Sequence, residues 1–159
     1  MPRGGIVLTA KDIMTVDVIT VKEDTTVEEL GRIFIEKRIS GSPVVDDGGR
    51  LSGIVTENDL ISKNRRLHIP TILRLFDAYI PIGSAGRLEE EIKRMAATTV
   101  GEICTRKVVT VEEETALEEI ATIMTGQKIH LIPVMKGQRI TGIIGKKDLI
   151  RGVAHEASE

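Results

Sequence analysis

The chain has 159 residues, of which 41% are hydrophobic and 29% charged, so it can bury a core without disulfides or a structural metal. A formal net charge of -2 gives no electrostatic footprint for nucleic acid, and the apolar stretches are too short for a signal-peptide core or a membrane span. The single cysteine, Cys104, excludes an internal disulfide framework. We therefore expect a soluble, cytoplasmic protein that binds neither nucleic acid nor membrane.

The first half of the chain predicts the order strand, helix, strand, strand, helix. A short strand over 18–21 precedes Thr25-Thr-Val-Glu28, which has the pattern of a capping box that opens a helix. The apolar face of that helix is formed by Val27, Leu30, Ile33 and Phe34. A strand over 43–45, a polar turn and a strand over 51–55 follow, and the second helix begins at Thr56.

The middle of the chain predicts a helical linker. Residues 63–99 are a long connection for a compact domain, so we expect them to be structured, functional or disordered. Pro70 to Tyr79 has the pattern of a helix with one apolar face, and 87–95 that of a charged helix. This insertion either packs on its own domain or forms a subunit interface or a lid near a ligand.

The second half of the chain repeats the first. Residues 13–47 align with 103–137 at a constant offset of 90, and 13 of the 35 positions are identical. Unrelated stretches of this length would share roughly two or three. We therefore predict an α+β fold of two tandem β-α-β-β-α repeats, over 10–62 and 100–155, related by a pseudo-twofold axis and separated by the helical insertion at 63–99.

The repeated segments resemble a known family. The strand Val-Ile-Thr-Val, the segment Ile39-Ser-Gly-Ser-Pro-Val-Val45 and the segment Gly53-Ile-Val-Thr-Glu-Asn-Asp59 are similar to the CBS domain pair, named after cystathionine β-synthase and also called a Bateman module. The resemblance covers both repeats but not the linker. It implies that an adenine nucleotide, AMP, ADP or ATP, or S-adenosylmethionine binds in a cleft between the repeats.

Thr56 and Asp59 are the first candidate site residues. Thr56 ends a strand and Asp59 follows one helical turn later, so a hydroxyl and a carboxylate project together. The carboxylate can accept hydrogen bonds from the two ribose hydroxyls, and the hydroxyl with the helix N–H groups suits a phosphate. The same spacing fits a capping box, in which Asp59 only closes the start of the helix. Both roles can hold in different ligand states.

The resemblance implies a main cleft, because in CBS pairs the ribose-binding acid of one repeat faces the adenine wall of the other. The residues that it brings together are Thr56, Asp59, Lys107, Val108, Val109, Ile129, His130 and Leu131. Apolar side chains would hold the base. His130 stands where relatives such as the γ subunit of AMP-activated protein kinase carry a phosphate-contacting histidine, although a surface or core role is the alternative.

A second, weaker cleft is implied by the same symmetry. Its residues are Asp17, Val18, Ile19, Ile39, Ser40, Gly41 and Asp148. Gly145 replaces the hydroxyl residue that the first repeat has at Thr56, and Asp17 adds negative charge that Lys146 and Lys147 could offset. We expect one competent cleft and one weaker or empty cleft.

No catalytic constellation is evident in the sequence. The three histidines lack metal-ligand spacing with the cysteine, and neither a Ser/His/Asp set nor a phosphate-cradling glycine loop is present. We predict a regulatory sensor without catalytic residues, metal or catalytic cofactor, for which an adenine nucleotide is the regulatory ligand. We expect it to be a homodimer that modulates a separate, unidentified protein by conformational change. The alternative is a structural dimerisation module with vestigial clefts.

Overall fold

The computed structural model describes residues 6–62 and 98–158, so the predicted linker helices at 70–79 and 87–95 lie outside the described residues. Each repeat contains the predicted order of elements. The first has β1 (Val21–Lys22), α2 (Val27–Lys37), β2 (Gly41–Val45), β3 (Leu51–Thr56) and α3 (Glu57–Ser62), after a short helix α1 (Ala10–Ile13). The second has β4 (Val111–Glu112), α5 (Leu117–Gly126), β5 (Leu131–Lys136), β6 (Arg139–Gly145) and α6 (Lys146–Ala157), after a short helix α4 (Val100–Ile103).

The strands form two three-stranded sheets with the same topology. The orders are β1-β2-β3 and β4-β5-β6. Parallel pairing joins β1 to β2, with Val21 opposite Val44, and β4 to β5, with Val111 opposite Val134. Strands β5 and β6 form an antiparallel hairpin that places Leu131 opposite Gly145. The predicted mixed α+β fold is therefore confirmed, although the first strand is shorter and begins later than the predicted strand over 18–21.

The chain divides into two compact units that do not coincide with the sequence repeats. The first-sheet unit combines Thr20–Asp47 with the described part of Ser52–Arg106, so it contains β1 to β3 together with α4. The second-sheet unit combines the residues up to Ile19, the turn Gly48–Leu51 and the residues from Lys107 onward, so it contains β4 to β6 together with α1. The repeat boundaries at 10–62 and 100–155 stay a prediction.

The short helices α1 and α4 are joined to their units by equivalent hydrogen bonds. In the second-sheet unit, Ala10 N–H donates to the Thr115 carbonyl at 2.8 Å. In the first-sheet unit, Val100 N–H donates to the Thr25 carbonyl at 2.8 Å. Ala10 and Val100 are equivalent at the offset of 90, and so are Thr25 and Thr115. The duplication therefore extends to this packing. Each unit thus includes a short helix from the start of the other repeat.

Each unit has its own apolar core. The first-sheet core includes Val27, Leu30, Phe34, Val44, Val55 and Val100. The second-sheet core includes Ala10, Ile120, Met124, Ile132, Val134 and Ile144. Most of the predicted helix faces are therefore buried, as their periodicity indicates. Among the helices within residues 6–62 and 98–158, none is long and apolar enough to cross a membrane.

The segments that follow α1 and α4 lie against glycines of the sheets. A Cβ atom built on Gly142 would lie 2.3 Å from Met14 Sδ, and one built on Gly53 would lie 2.9 Å from Cys104 Sγ. These distances are too short for any side chain at either glycine unless the neighbour moves. In both units, the glycine therefore permits the segment that follows the short helix to approach the sheet closely.

The predicted capping box at Thr25 is wrong by one residue. The N-cap of α2 is Thr26, whose hydroxyl accepts a hydrogen bond from Glu29 N–H at 3.2 Å. The Thr25 hydroxyl instead accepts from Lys22 N–H at 3.2 Å and closes the turn between β1 and α2. In the second repeat Thr115 makes the equivalent turn, and Ala116 occupies the N-cap position without a side-chain cap.

Candidate functional site

Thr56 and Asp59 lie at the junction of β3 and α3. One carboxylate oxygen of Asp59 accepts hydrogen bonds from Thr56 N–H at 2.9 Å and from the Thr56 hydroxyl at 3.4 Å. Both residues are half-buried. The carboxylate therefore caps the start of α3, as in the capping alternative. The hydroxyl and the carboxylate also lie on the same side, as a ribose or phosphate site requires.

Ser40 lies next to this junction in the first-sheet unit. Its carbonyl accepts a hydrogen bond from Glu57 N–H at 2.9 Å, at the first residue of α3. Ile39 packs against the first-sheet core, and Gly41 is the buried first residue of β2. In this unit, the residues predicted for the weaker cleft are therefore close to Thr56. The division of these residues between two clefts stays a prediction.

Asp148 occupies the equivalent position in the second-sheet unit but has more partners. One carboxylate oxygen accepts from Gly145 N–H at 2.9 Å. The other accepts from the Thr15 hydroxyl at 3.3 Å and from an Arg151 guanidinium nitrogen at 2.6 Å. The Asp148 side chain is 11% exposed, whereas that of Arg151 is 73% exposed. This carboxylate is thus enclosed by the backbone, a hydroxyl and a cation.

Thr15 and Arg151 were not among the predicted site residues. The constant offset of 90 pairs Thr15 with Thr105, and each of these residues forms a bridge to the last strand of a sheet, Thr15 with Ile143 and Thr105 with Ile54. Arg151 follows Asp148 by three residues on α6, a spacing that brings two helical side chains together. The helical spacing was therefore a usable signal for Arg151. The contact of Thr15 with Asp148 joins the first repeat to the sheet of the second, and periodicity does not reveal such a contact.

Gly145 leaves room for a side chain. A Cβ atom there would lie 3.8 Å from a carboxylate oxygen of Asp148 and from Leu131 Cδ1, and 3.9 Å from the His130 carbonyl oxygen. These are ordinary van der Waals distances. The backbone at Gly145 therefore has room for a Cβ atom.

The other predicted residues of the second-sheet unit differ in exposure. Asp17, Lys107 and His130 are exposed. The half-buried residues are Val18, Ile19, Val108, Val109, Ile129 and Leu131. Each of the segments 17–19, 107–109 and 129–131 thus has one exposed polar side chain and two half-buried apolar side chains.

A concavity of about 400 Å³ lies between the end of α5 and the start of α6 in the second-sheet unit. Its apolar walls include Met124, Ile129 and Leu149. The polar groups at its edge include Lys128, His130 and Lys146. The concavity thus contains two of the predicted site residues and adds two lysines, which makes it electropositive. Within residues 6–62 and 98–158, no group of three His, Cys, Asp or Glu side chains could hold a metal ion.

Both repeats match one known family. A family model described as the CBS domain matches residues 10–65 and again residues 100–155. The chain belongs to the CBS domain family. The resemblance noted in the sequence is therefore confirmed, and the β-α-β-β-α repeats of the chain are a CBS domain pair.

One relative of similar length is the uncharacterised protein MJ1426 of Methanocaldococcus jannaschii. It is 29% identical over 160 residues, and the match covers 94% of each protein. Other curated relatives are longer, and the chain spans between 22% and 78% of their length. Relatives thus carry this CBS pair both alone and within larger proteins.

Two solved structures resemble the CBS pair over almost its whole length. The CBS domain of a CBS domain-containing membrane protein from Sphaerobacter thermophilus has a TM-score of 0.75 and 31% identity, covering 91% of this chain and 87% of that one. The CBS domain pair of protein MJ0100, in complex with 5'-methylthioadenosine and S-adenosyl-L-methionine, has a TM-score of 0.68 and 25% identity, covering 94% and 98%.

Proposed function

We propose that this CBS pair is a regulatory sensor that binds an adenine nucleotide or S-adenosylmethionine. The observation that carries the proposal is the arrangement of Thr56 and Asp59, whose hydroxyl and carboxylate lie together at the start of α3. An ionised carboxylate has about four acceptor positions, so Asp59 can close the helix and still accept from a ribose hydroxyl.

The ligand class is supported by MJ0100. Both molecules in that complex, 5'-methylthioadenosine and S-adenosyl-L-methionine, contain an adenine base and a ribose with two free hydroxyls. A site that recognises them must therefore supply apolar contacts to a base and an acceptor for a diol. In this chain the proposed acceptor is Asp59, and the proposed base contacts are Val109 and Ile129.

The proposed phosphate contact is His130. It is exposed and lies at the edge of the concavity that also contains Lys128 and Lys146. Two lysine ammonium groups and an imidazole favour a phosphate group, which AMP, ADP and ATP carry, over S-adenosylmethionine, whose single carboxylate is outweighed by its ammonium and sulfonium charges. This arrangement favours a nucleotide over S-adenosylmethionine as the ligand.

Calorimetric titration of an Asp59→Ala variant tests the proposal. Loss of a charge-assisted pair of hydrogen bonds to the ribose should weaken binding by roughly thirty- to thousandfold. Asp148→Ala is the matched control, because it removes the same carboxylate from the second repeat and should change the main isotherm much less. Each variant is titrated with AMP, ADP, ATP and S-adenosylmethionine.

The same experiment separates ligand binding from helix capping. If Asp59 serves only as a cap, Asp59→Ala should lower the free energy of unfolding by about 1 kcal/mol and leave the affinity intact. An equal loss of affinity in Asp59→Ala and Asp148→Ala would contradict a single main site.

The regulatory part of the proposal rests on the ligand-binding part. A ligand that contacts both repeats favours one arrangement of them by its differential affinity, and this shift is what a separate partner protein would detect. A homodimer is supported by the exposure of Ile61 on α3 and of Ile150 on α6, which occupy equivalent positions in the two repeats. Sedimentation of the purified chain at micromolar concentration tests the dimer.

A structural dimerisation module with vestigial clefts is the second candidate. It is favoured by one observation, that both Asp59 and Asp148 already bond to the backbone at the start of their own helices. In that case none of the four ligands should produce heat in calorimetry, while the chain should still associate.

A further inference from the structure

The carboxylate of Asp148, the predicted acid of the second cleft, already accepts three hydrogen bonds from the protein. It accepts from Gly145 N–H, from the Thr15 hydroxyl and from the guanidinium of Arg151, at 2.9, 3.3 and 2.6 Å. We propose that Arg151 is a specificity-determining residue that keeps Asp148 from binding a ribose, so that the second cleft stays weak. This inference rests on the proposed function, because it concerns the second of the two predicted nucleotide clefts.

The number of acceptor positions on the carboxylate supports this role. An ionised carboxylate offers about four positions, and a ribose diol needs two of them. Three groups of the protein already donate to Asp148, and only 11% of its side chain is exposed. A ribose must therefore displace at least one donor before it can bind in the usual bidentate manner.

Arg151 is the donor whose removal disturbs the fold least. Gly145 N–H belongs to the backbone at the start of α6, and Thr15 follows α1 and pairs with Ile143 in the sheet. The side chain of Arg151, in contrast, is 73% exposed, so its loss leaves no cavity in the core. It is also the donor that carries a positive charge, which makes its bond the strongest competitor of a ribose hydroxyl.

The duplication provides an internal comparison. Three residues after Asp59, the sequence of the first repeat has Ser62, where the second repeat has Arg151 after Asp148. A serine carries no charge with which to neutralise a carboxylate. Three residues before the acid the two repeats have Thr56 against Gly145, and three residues after it they have Ser62 against Arg151. In the second repeat, Arg151 places a cation on the carboxylate of Asp148.

The experiment measures the second cleft after the first has been disabled. The Asp59→Ala variant is compared with Asp59→Ala/Arg151→Ala by calorimetric titration with AMP, ADP, ATP and S-adenosylmethionine, each separately. The contact between Arg151 and Asp148 is intermediate in strength between an exposed ion pair and a buried charged hydrogen bond. Because a ribose no longer has to displace it, Arg151→Ala should strengthen binding by about five- to thirtyfold. Adding Asp148→Ala should abolish this gain. Asp59→Ala/Arg139→Ala is the control, because it removes one exposed arginine at the start of β6.

The outcomes separate this inference from the proposed function. Unchanged or weaker binding in the Arg151→Ala variant, with a wild type that binds through Asp59, would overturn the inference alone. A gain of the same size in the Arg139→Ala control would also overturn it, because net charge would then explain the effect. No heat in either the wild type or the single variant Arg151→Ala would overturn both. If Arg151→Ala unfolds, Arg151→Gln keeps the length of the side chain and carries the same expectation.

Discussion

Asp59 and Asp148 each accept a hydrogen bond from the backbone N–H three residues earlier, at the same distance of 2.9 Å. A carboxylate at the start of a helix is favoured by the helix dipole and by the N–H groups that lack a partner within the helix. The same features attract the polar groups of a ligand. At such a position, capping and ligand recognition use the same chemistry, so we expect surrounding residues such as Thr15 and Arg151 to decide which of the two dominates.

Glu23 gives a prediction for the pH dependence of stability. The pKa of Glu23 lies below its ordinary value of 4.5. The larger cause is its hydrogen bond with the Arg106 guanidinium, and the smaller is a hydrogen bond with the Ser52 side chain. A group whose pKa is lowered by folding stabilises the folded state above the pKa of the unfolded chain and loses that effect as the pH falls through its folded pKa. The stabilisation by Glu23 should therefore be complete at neutral pH and vanish in acid.

The measurement is the difference in free energy of unfolding between the wild type and Glu23→Gln as a function of pH. The wild type should be slightly more stable at pH 7, because both partners of the ion pair are largely exposed and the effect is small. The difference should shrink below pH 4.5 and on addition of salt. Arg106→Gln should give a parallel profile. A difference that grows as the pH falls would contradict the expectation.

Gly142 gives a prediction for the packing of an element against its sheet. An alanine there would place Cβ 2.3 Å from Met14 Sδ and 2.9 Å from Met14 Cβ. Rotation of the methionine can move the sulfur but not its Cβ, so Gly142→Ala should lower the free energy of unfolding by about 1–3 kcal/mol. Chemical denaturation measures the change.

Two further variants sharpen this measurement. Gly142→Ala combined with Met14→Ala should be somewhat more stable than the sum of the single changes predicts, because the clashing Cγ and Sδ are gone while the contact with the Cβ at position 14 remains. Gly31→Ala is the control in α2, where no heavy atom lies within 4 Å of the added Cβ. It should raise stability by roughly 0.5–1 kcal/mol through helix propensity. Strict additivity of the Gly142 and Met14 changes would contradict the proposed contact.

The elements differ in how far the sequence could predict them. Helix α2 has three buried apolar residues at helical spacing, Val27, Leu30 and Phe34, and periodicity was sufficient to predict it. Helices α1 and α4 have four residues each, fewer than a periodic signal needs. For the site, the junctions at Thr56 and Gly145 could be predicted from turn and cap chemistry. The contact between Thr15 and Asp148 could not, because it joins residues 133 positions apart.

Val100 gives a prediction for the molecule as a whole. It belongs to the second repeat in the sequence, but it is fully buried in the first-sheet core. Val100→Ala should lower the free energy of unfolding by about 2 kcal/mol. Hydrogen exchange should then show that amides of β1 to β3 lose protection, while those of β4 to β6 do so much less.

Val134→Ala is the matched control, because Val134 is equally buried but lies in the second-sheet core. Its effect on hydrogen exchange should be the reverse, with β4 to β6 losing protection first. Increased exchange mainly in β4 to β6 for the Val100 variant would contradict the division of the chain into these two units.

The crossing of α1 and α4 has a consequence for the order of events on the ribosome. The first-sheet unit has all its described parts once Arg106 has been synthesised. The segment around Thr15, although made much earlier, has its sheet partner at Ile143 and cannot dock before then. At a synthesis rate of about 5–20 residues per second, it waits for roughly 6–26 seconds with Met14 and Ile13 exposed. A segment that is made before the first-sheet unit is therefore among the last to reach its native position.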